Sequence, residues 1–247
     1  MSRPKKKPQY DSDKIIKDLT AAVSESFKET GELKLTADEF GLSAIKIRKL
    51  LITAGVYSND ISDEVNALYN QGKSVTEIEQ ITGLSKSSVN GYLPYNKVVY
   101  NQSELSLNAD RIKKFRSRRE TVRKLLDDKC EGKLWKAVVA FQNYPFHTVF
   151  GIPFTYTIKM SKCGDYNREL IINHRKQSKT LTWSSIMLVF NKAVEMYGEI
   201  IEKPKMLGDI RGVSYIYPLL FRFGMIVVPD RSADNMRLKR PLDKHDK

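Results

Sequence analysis

The sequence predicts an α+β protein, with an all-helical first part and a small antiparallel sheet with helices in its second part. Apolar residues recur at helical spacing in short segments between residues 12 and 93. A long basic helix follows, from Asn108 to about Lys129. Beyond residue 134 the period changes, because 155–160 alternates polar and apolar side chains and 169–175 returns after a Gly164-Asp165 turn.

These patterns divide the 247 residues into five segments. A basic arm, 1–11, is predicted to be disordered, and 12–94 to form the helical region. A connector that contains the basic helix covers 95–131, an α+β domain covers 132–230, and a charged tail covers 231–247. Within the helical region, the predicted helices are 12–29, 36–41, 43–54, 60–70, 74–81 and 85–93.

The last two of these helices carry a helix-turn-helix pattern over 74–93. In Thr82-Gly83-Leu84-Ser85, glycine supplies the left-handed backbone of the turn, leucine fills the space between the helices, and serine caps the next helix. Val89 and Leu93 then follow at inward-facing positions. Upstream, Ser74-Val75-Thr76-Glu77 has the form of a capping box, which predicts a helix start.

A second copy of the pattern lies upstream, over 36–51. Phe40-Gly41-Leu42-Ser43 is followed by Ile47 and Leu51 at the same spacing. Thr36-Ala37-Asp38-Glu39 repeats the capping-box lettering and predicts a helix that starts at Thr36. The helical region is therefore predicted to hold a tandem pair of helix-turn-helix motifs.

Residues 62–93 resemble the helix-turn-helix of resolvases and of region 4, the promoter-reading region, of sigma factors. The resemblance implies that the helix at 85–93 lies in the DNA major groove. Glu79 stands where that family usually has alanine, so its carboxylate is expected to reach out to solvent. A three-helix bundle that binds nothing is the alternative. The C-terminal domain resembles no family that we recognise.

The predicted DNA contacts are the residues left outside after packing. Asparagine can pair with adenine, serine contacts a base or a phosphate, and lysine suits guanine or the backbone. On the helix at 85–93 these residues are Ser85, Lys86, Ser87, Ser88 and Asn90, and Gly91 is expected to allow a close approach of DNA. In the upstream copy Lys46, Arg48 and Lys49 face outward and are predicted to grip phosphates.

The net charge of +13 suits a polyanionic partner, and much of it lies in two places. One is the arm, and the other is the basic helix, where an apolar stripe of Ile112, Phe115, Val122 and Leu126 is interrupted by Arg119. On this helix Arg116, Arg118 and Arg123 are predicted to face DNA; a solvated linker helix is the alternative.

In the α+β domain, Tyr156, Ile158, Met160, Leu170 and Ile172 are predicted to pack against a helix bearing Ile186, Val189 and Phe190, capped by Thr182 or Ser184. The opposite strand face carries Lys159 and Arg175 and is a candidate second DNA contact. An ordinary solvated face, or one covered by a partner subunit, is the alternative. A buried helix with a kink or a start near Pro218 and a short strand at 225–228 complete the domain.

Other function classes find little support in the residues. No apolar run approaches the roughly 18 residues of a membrane span, and no signal peptide opens the chain, so a cytoplasmic, nucleoid-associated protein is expected. Cys130 and Cys163 lack the spacing of a zinc site, and no metal or cofactor is predicted. Asp165 and Glu169 lack the lysine spacing of a nuclease, so no catalytic residue is assigned.

The sequence thus predicts a sequence-specific double-stranded DNA-binding protein, with a bacterial or mobile-element transcriptional regulator as its most economical role. The alternative is a nuclease or recombinase component of a defence or mobility system, in which the helix-turn-helix supplies the address. A homodimer is one expected assembly. An RNA-binding or scaffold protein is less favoured, because the helix at 85–93 carries duplex-reading residues and no aromatic stacking motif.

Overall fold

The computed structural model describes residues 11–96, 102–161, 164–173 and 179–236. The chain forms two compact units. The first runs to Lys28 and resumes over Glu32–Phe115, and the second comprises Glu29–Gly31 and the chain from Arg116 onward. The boundary therefore falls inside the helix predicted as a connector. The mixed architecture confirms the α+β class.

The first unit is all-helical over its described residues. Its helices are α1 (Ser12–Thr30, apart from its last two residues), α2 (Leu33–Phe40), α3 (Ala44–Thr53), α4 (Asp60–Asn70), α5 (Val75–Thr82), α6 (Lys86–Tyr92) and the first half of α7 (Gln102–Asp127). The second half of α7 belongs to the second unit.

Two apolar cores hold the first unit together. The larger joins α1, α2, α3 and α7 around Leu19, Phe40 and Leu50, and the ring of Phe115 on α7 packs tilted against that of Phe40 at a centroid distance of 5.5 Å. The smaller joins α4, α5 and α6 around Val65, Ile78 and Val89. Both helix-turn-helix copies are thus parts of packed cores.

Most predicted helices of this unit are confirmed, and two starts were wrong. Thr36 does not cap α2; it is buried within the helix, where its hydroxyl donates to the Glu32 carbonyl at 3.1 Å. Residue Asn108 likewise lies inside α7, which begins six residues earlier, at Gln102. Both residues are polar and fit a cap by type, but in a helix interior their side chains bond locally instead.

The second unit contains a four-stranded antiparallel sheet with strands in the order β1 (Phe146–His147), β2 (Pro153–Met160), β3 (Tyr166–Asn173) and β4 (Lys179–Thr182). Around it lie α8 (Glu131–Ala140), α9 (Trp183–Glu195), a 3₁₀ helix (Pro204–Leu207), α10 (Val213–Arg222) and α11 (Asp230–Asn235). Thr182 caps α9 by accepting from the Ser185 N–H. Pro218 lies inside α10 rather than at its start.

One face of the sheet carries the core of this unit, as predicted. Tyr156, Ile158, Leu170 and Ile172 are buried together with the apolar side of α9. Met160 is the exception, because the register shifts between Ile158 and Met160 and leaves its side chain half exposed. The irregularity turns the end of the strand away from the core.

Several features of the second unit were not predicted from the sequence. These are β1, β4, the 3₁₀ helix and α11, whose Ser232 and Ala233 are buried inside the segment assigned to the tail. The strand predicted at 225–228 was wrong, since Val227 makes only an isolated bridge with Ile200. Residues 1–10 of the predicted arm, 1–11, and the end of the tail, 237–247, lie outside the described residues.

In the described part of the chain, none of the helices combines the length and the apolar character needed to cross a membrane.

Tyr217 makes a buried hydrogen bond, and ionisation of its hydroxyl at alkaline pH should lower the free energy of unfolding. Its hydroxyl donates to the Ile201 carbonyl at 2.5 Å, and burial raises its pKa. An unfolded tyrosine ionises near pH 10, so the stabilising contribution is complete below about pH 10 and is lost as the pH rises toward the folded pKa.

We therefore expect Tyr217→Phe to flatten the fall in the free energy of unfolding between about pH 9 and about pH 11.5. At neutral pH the variant should lose about 1 kcal/mol, because one net hydrogen bond is removed. Urea denaturation at both pH values measures the difference, and Tyr197→Phe, at a half-exposed tyrosine, is the control. Parallel pH profiles for wild type and Tyr217→Phe would contradict the prediction.

Candidate nucleic-acid interface

The downstream helix-turn-helix, α5 and α6, has the predicted turn geometry. Gly83 ends α5 with φ +67°, and its N–H donates to the Glu79 carbonyl. Ser85 then caps α6, because its hydroxyl accepts from the Ser88 N–H at 3.3 Å. At the start of α5 the capping box of Ser74 and Glu77 is present. Hydrogen bonds from the Ser74 backbone N–H, which has the largest effect, and from its hydroxyl hold the pKa of the Glu77 carboxyl below its usual value.

The upstream copy, α2 and α3, closes its turn in the same way. Gly41 adopts φ +59°, and Ser43 caps α3 by accepting from the Lys46 N–H at 3.2 Å. A third residue completes this turn, since Arg111 of α7 donates to the carbonyls of Phe40 and Gly41 at 2.6 and 3.1 Å. A guanidinium at a helix C-terminus satisfies free carbonyls and opposes the helix dipole.

The outer surface of α6 is polar. Lys86, Ser87 and Asn90 are exposed, and Ser88 is half-buried against the Ser85 hydroxyl at 3.0 Å. The Asn90 amide donates once to the Lys86 carbonyl at 2.9 Å, which leaves its oxygen and second hydrogen for another partner. Lys86, Ser87 and Asn90 therefore form the part of the predicted set that can meet a ligand directly.

Glu79 performs a task that the resemblance did not predict. Its side chain is half-buried, and the carboxylate accepts from the Lys86 N–H at 3.1 Å. Ser85 and Glu79 thus satisfy two of the free N–H groups at the start of α6. The carboxylate does reach an exposed position, as expected, and there the N-terminus of α6 offers it a hydrogen-bond donor and a favourable dipole.

The basic residues of α3 are not the outward phosphate contacts predicted from the sequence. Arg48 donates to the Gly91 carbonyl at 3.0 Å, and its guanidinium lies 3.8 Å from the Tyr92 ring centroid. Lys49 donates to the Asn90 carbonyl at 2.6 Å, and burial lowers its pKa. Both cations are half-buried at the C-terminal end of α6, where the carbonyls of a helix are unsatisfied.

Lys46 also has a partner within the protein, because it forms an ion pair with Glu104 of α7 at 2.8 Å. Gly91 is buried, and a methyl group placed on it would lie 2.6 Å from the Arg48 Nη2. The glycine makes room for Arg48 rather than for a base. These placements contradict the expected outward positions of Lys46, Arg48 and Lys49 and the expected open position of Gly91.

Direct contact between α3 and α6 limits how the two motifs can be used. Helices packed against each other lie about 8–10 Å apart. Two reading helices that enter successive turns of the major groove lie about 34 Å apart. The tandem copies therefore cannot occupy two separate groove segments. The two motifs, α2–α3 and α5–α6, instead form one unit in which α3 supports α6, and we call it the composite head.

On the basic helix α7, the three arginines singled out from the sequence have different surroundings. Arg116 is exposed. Arg123 is exposed and pairs with Glu120 at 3.0 Å and Asp127 at 3.3 Å, and the pairing with Arg123 and Lys124 lowers the pKa of the Glu120 carboxyl to about 2. The prediction for Arg118 was wrong: it is buried, with 7% of its surface exposed.

The open face of the hairpin is less cationic than predicted. Lys159 is exposed but pairs with the Glu169 carboxylate at 2.9 Å, across the β2–β3 ladder. Thr155, Thr157 and Ile171 are half-buried beside it. Arg175 lies outside the described residues. Apart from Ile171, the described portion of this face is polar, and the charge of Lys159 is balanced by Glu169. This weakens the interpretation of the hairpin as a phosphate contact.

Among the residues that the structure describes, no group of three or more His, Cys, Asp or Glu side chains is placed to hold a metal ion. No protein-family model, no curated protein and no solved structure matches this chain. The functional interpretation of the composite head therefore rests on its own residues and geometry.

Proposed function

We propose that the protein is a sequence-specific double-stranded DNA-binding protein that reads one segment of the major groove with α6. The observation that carries the proposal is the exposed row of Lys86, Ser87 and Asn90 on a short helix whose two ends are both fixed. Ser85 and Glu79 hold its N-terminus, and Arg48 and Lys49 hold its C-terminus. A rigid helix with short polar side chains suits base readout, which requires fixed donor and acceptor positions.

Regulation of transcription is the role we propose for this activity, because a DNA-reading head with a second folded unit is sufficient for it. The test is selection of bound duplexes from a random pool with the full chain, followed by footprinting of the enriched site. A single protected groove segment is expected for each copy of the chain. Repeating the binding with Mg²⁺ tests the nuclease alternative, since cleavage of the enriched duplex would assign the head to an enzyme.

Asn90→Ala and Ser87→Ala are each expected to weaken binding to the selected duplex by about 1–2 kcal/mol and to leave binding to random DNA nearly unchanged. The lower part of the range for base contacts applies to Asn90, because one of its amide hydrogens is already bonded to Lys86. Competition titrations with the selected and a scrambled duplex measure the difference.

Asn191→Ala provides the matched control, since Asn191 is an exposed asparagine on α9 of the second unit. It should leave both affinities unchanged. An equal loss on the selected and the scrambled duplex for Asn90→Ala would show a backbone contact instead and would contradict base readout.

A further inference from the structure

An apolar side chain lies beside the reading row of α6. Ile45, in the first turn of α3, is 58% exposed and belongs to neither apolar core of its unit. Ala44 next to it is also exposed. The cations of the same helix, Arg48 and Lys49, are half-buried and donate hydrogen bonds to backbone carbonyls of α6. The part of α3 that remains open next to α6 is therefore apolar.

Gly91 shows where Ile45 lies relative to the row. A methyl group placed on Gly91 would be 3.9 Å from the Cγ2 of Ile45. Ser87 lies four residues before Gly91, and residues four apart share one face of a helix. Ser87 and Ile45, both exposed, thus lie on the same side of the composite head, with the buried Gly91 between them.

The spacing is compatible with a single stretch of DNA. Four helical residues rise about 6 Å, and successive base pairs are about 3.4 Å apart. A base pair near Ile45 would lie within roughly two or three base pairs of the one that Ser87 meets. In the major groove, the apolar group available to such a side chain is the C5-methyl of a pyrimidine.

Resting on the proposed function, we infer that Ile45 is a specificity-determining residue that contacts a C5-methyl group, of thymine or of 5-methylcytosine, beside the bases read by α6. The upstream helix-turn-helix copy then contributes to recognition by shape and apolar contact rather than by charge. Its position beside the row distinguishes Ile45 from the lone exposed isoleucines that are common on protein surfaces.

The test uses the full chain and the duplex enriched from the random pool. Each thymine is replaced singly by uracil, which lacks only the C5-methyl, and affinities are measured for wild type and Ile45→Ala. Wild type is expected to lose roughly three- to ten-fold affinity at one or two adjacent thymines, the value of burying one methyl group. Ile45→Ala should bind the thymine and uracil duplexes equally.

A parallel selection from a pool carrying 5-methylcytosine distinguishes the two sources of the methyl group. Preference for the methylated over the unmethylated form of one sequence, lost in Ile45→Ala, would assign 5-methylcytosine. Ile200→Ala, at a half-exposed isoleucine of the second unit, is the control and should behave as wild type in both arms. Ile45→Ala should also retain the wild-type denaturation midpoint, because the side chain is outside both cores.

The possible failures are distinguishable. If no duplex is enriched, the proposed function fails and the inference fails with it. If a duplex is enriched but binds equally with uracil and without cytosine methylation, or if Ile45→Ala keeps the methyl dependence, DNA reading stands and the role of Ile45 is overturned.

Discussion

Replacement of Arg118 by alanine is expected to lower the free energy of unfolding by about 2–4 kcal/mol, the largest effect of any basic residue on α7. The guanidinium lies 5.8 Å from the Phe141 ring centroid and 5.1 Å from that of Tyr144, and its Nε donates to the Ala140 carbonyl at 3.4 Å. Truncation removes a partly buried charge-assisted hydrogen bond and both ring contacts, and leaves a cavity. Equilibrium denaturation in urea measures the loss.

Lys113→Ala is the matched control for this prediction. Lys113 lies five residues earlier on the same helix, is exposed, and its replacement should change the free energy of unfolding by no more than about 0.5 kcal/mol. A stable Arg118→Ala protein with reduced affinity for random DNA would contradict the buried role and restore the phosphate contact predicted from the sequence.

Arg118 illustrates why the net positive charge of the chain overstates the charge that is available to a ligand. Several cations neutralise the C-terminal ends of helices: Arg111 bonds to the end of α2, Arg48 and Lys49 to the end of α6, and Arg118 to the last residue of α8. Each helix ends with carbonyls that lack a partner, and a basic side chain can satisfy them. Part of the +13 net charge is therefore structural, and composition cannot separate this part from the part that meets a ligand.

Local sequence patterns predicted the features that depend on neighbouring residues. The left-handed Gly41 and Gly83, the serine caps at Ser43 and Ser85, and the capping box at Ser74 are all present. These motifs are stabilised by contacts within a few residues, so the residue types at these positions are enough to predict the local geometry. The alternating face of β2 was predictable for the same reason, because alternation follows from the pleat.

Features that depend on distant residues were not predictable in this way. The burial of Arg48 requires the carbonyl of Gly91, which lies 43 residues away in sequence. For Arg118 a signal did exist: it lies three residues after Phe115 and four before Val122, a spacing that places it on the apolar stripe. Arginine is rarely buried, so its residue type argued against this position. A guanidinium can nevertheless be buried when it lies over aromatic rings and donates to a carbonyl.

The contact between Arg48 and α6 predicts that Arg48, which lies outside the exposed row of Lys86, Ser87 and Asn90, controls the sequence preference of the proposed DNA binding. Arg48→Ala removes the hydrogen bond to the Gly91 carbonyl and the stacking on Tyr92, so the C-terminal end of α6 loses its main support. We expect the free energy of unfolding to fall by about 1.5–3 kcal/mol, the value of a hydrogen bond to a charged group. Affinity for the selected duplex should fall about 10- to 100-fold, because misplaced donors and acceptors no longer match the bases.

Two further variants separate position from charge. Lys113→Gln removes one exposed charge from α7 and should weaken selected and random duplexes by the same factor, since the electrostatic contribution does not depend on sequence. Arg48→Lys keeps the charge but not the planar group, so binding to random DNA should match wild type while the preference for the selected duplex stays reduced. If Arg48→Ala instead lowers both affinities equally, as Lys113→Gln does, Arg48 contributes charge alone. In that case α6 would hold its reading geometry without α3, and the two helix-turn-helix copies would not act as one head.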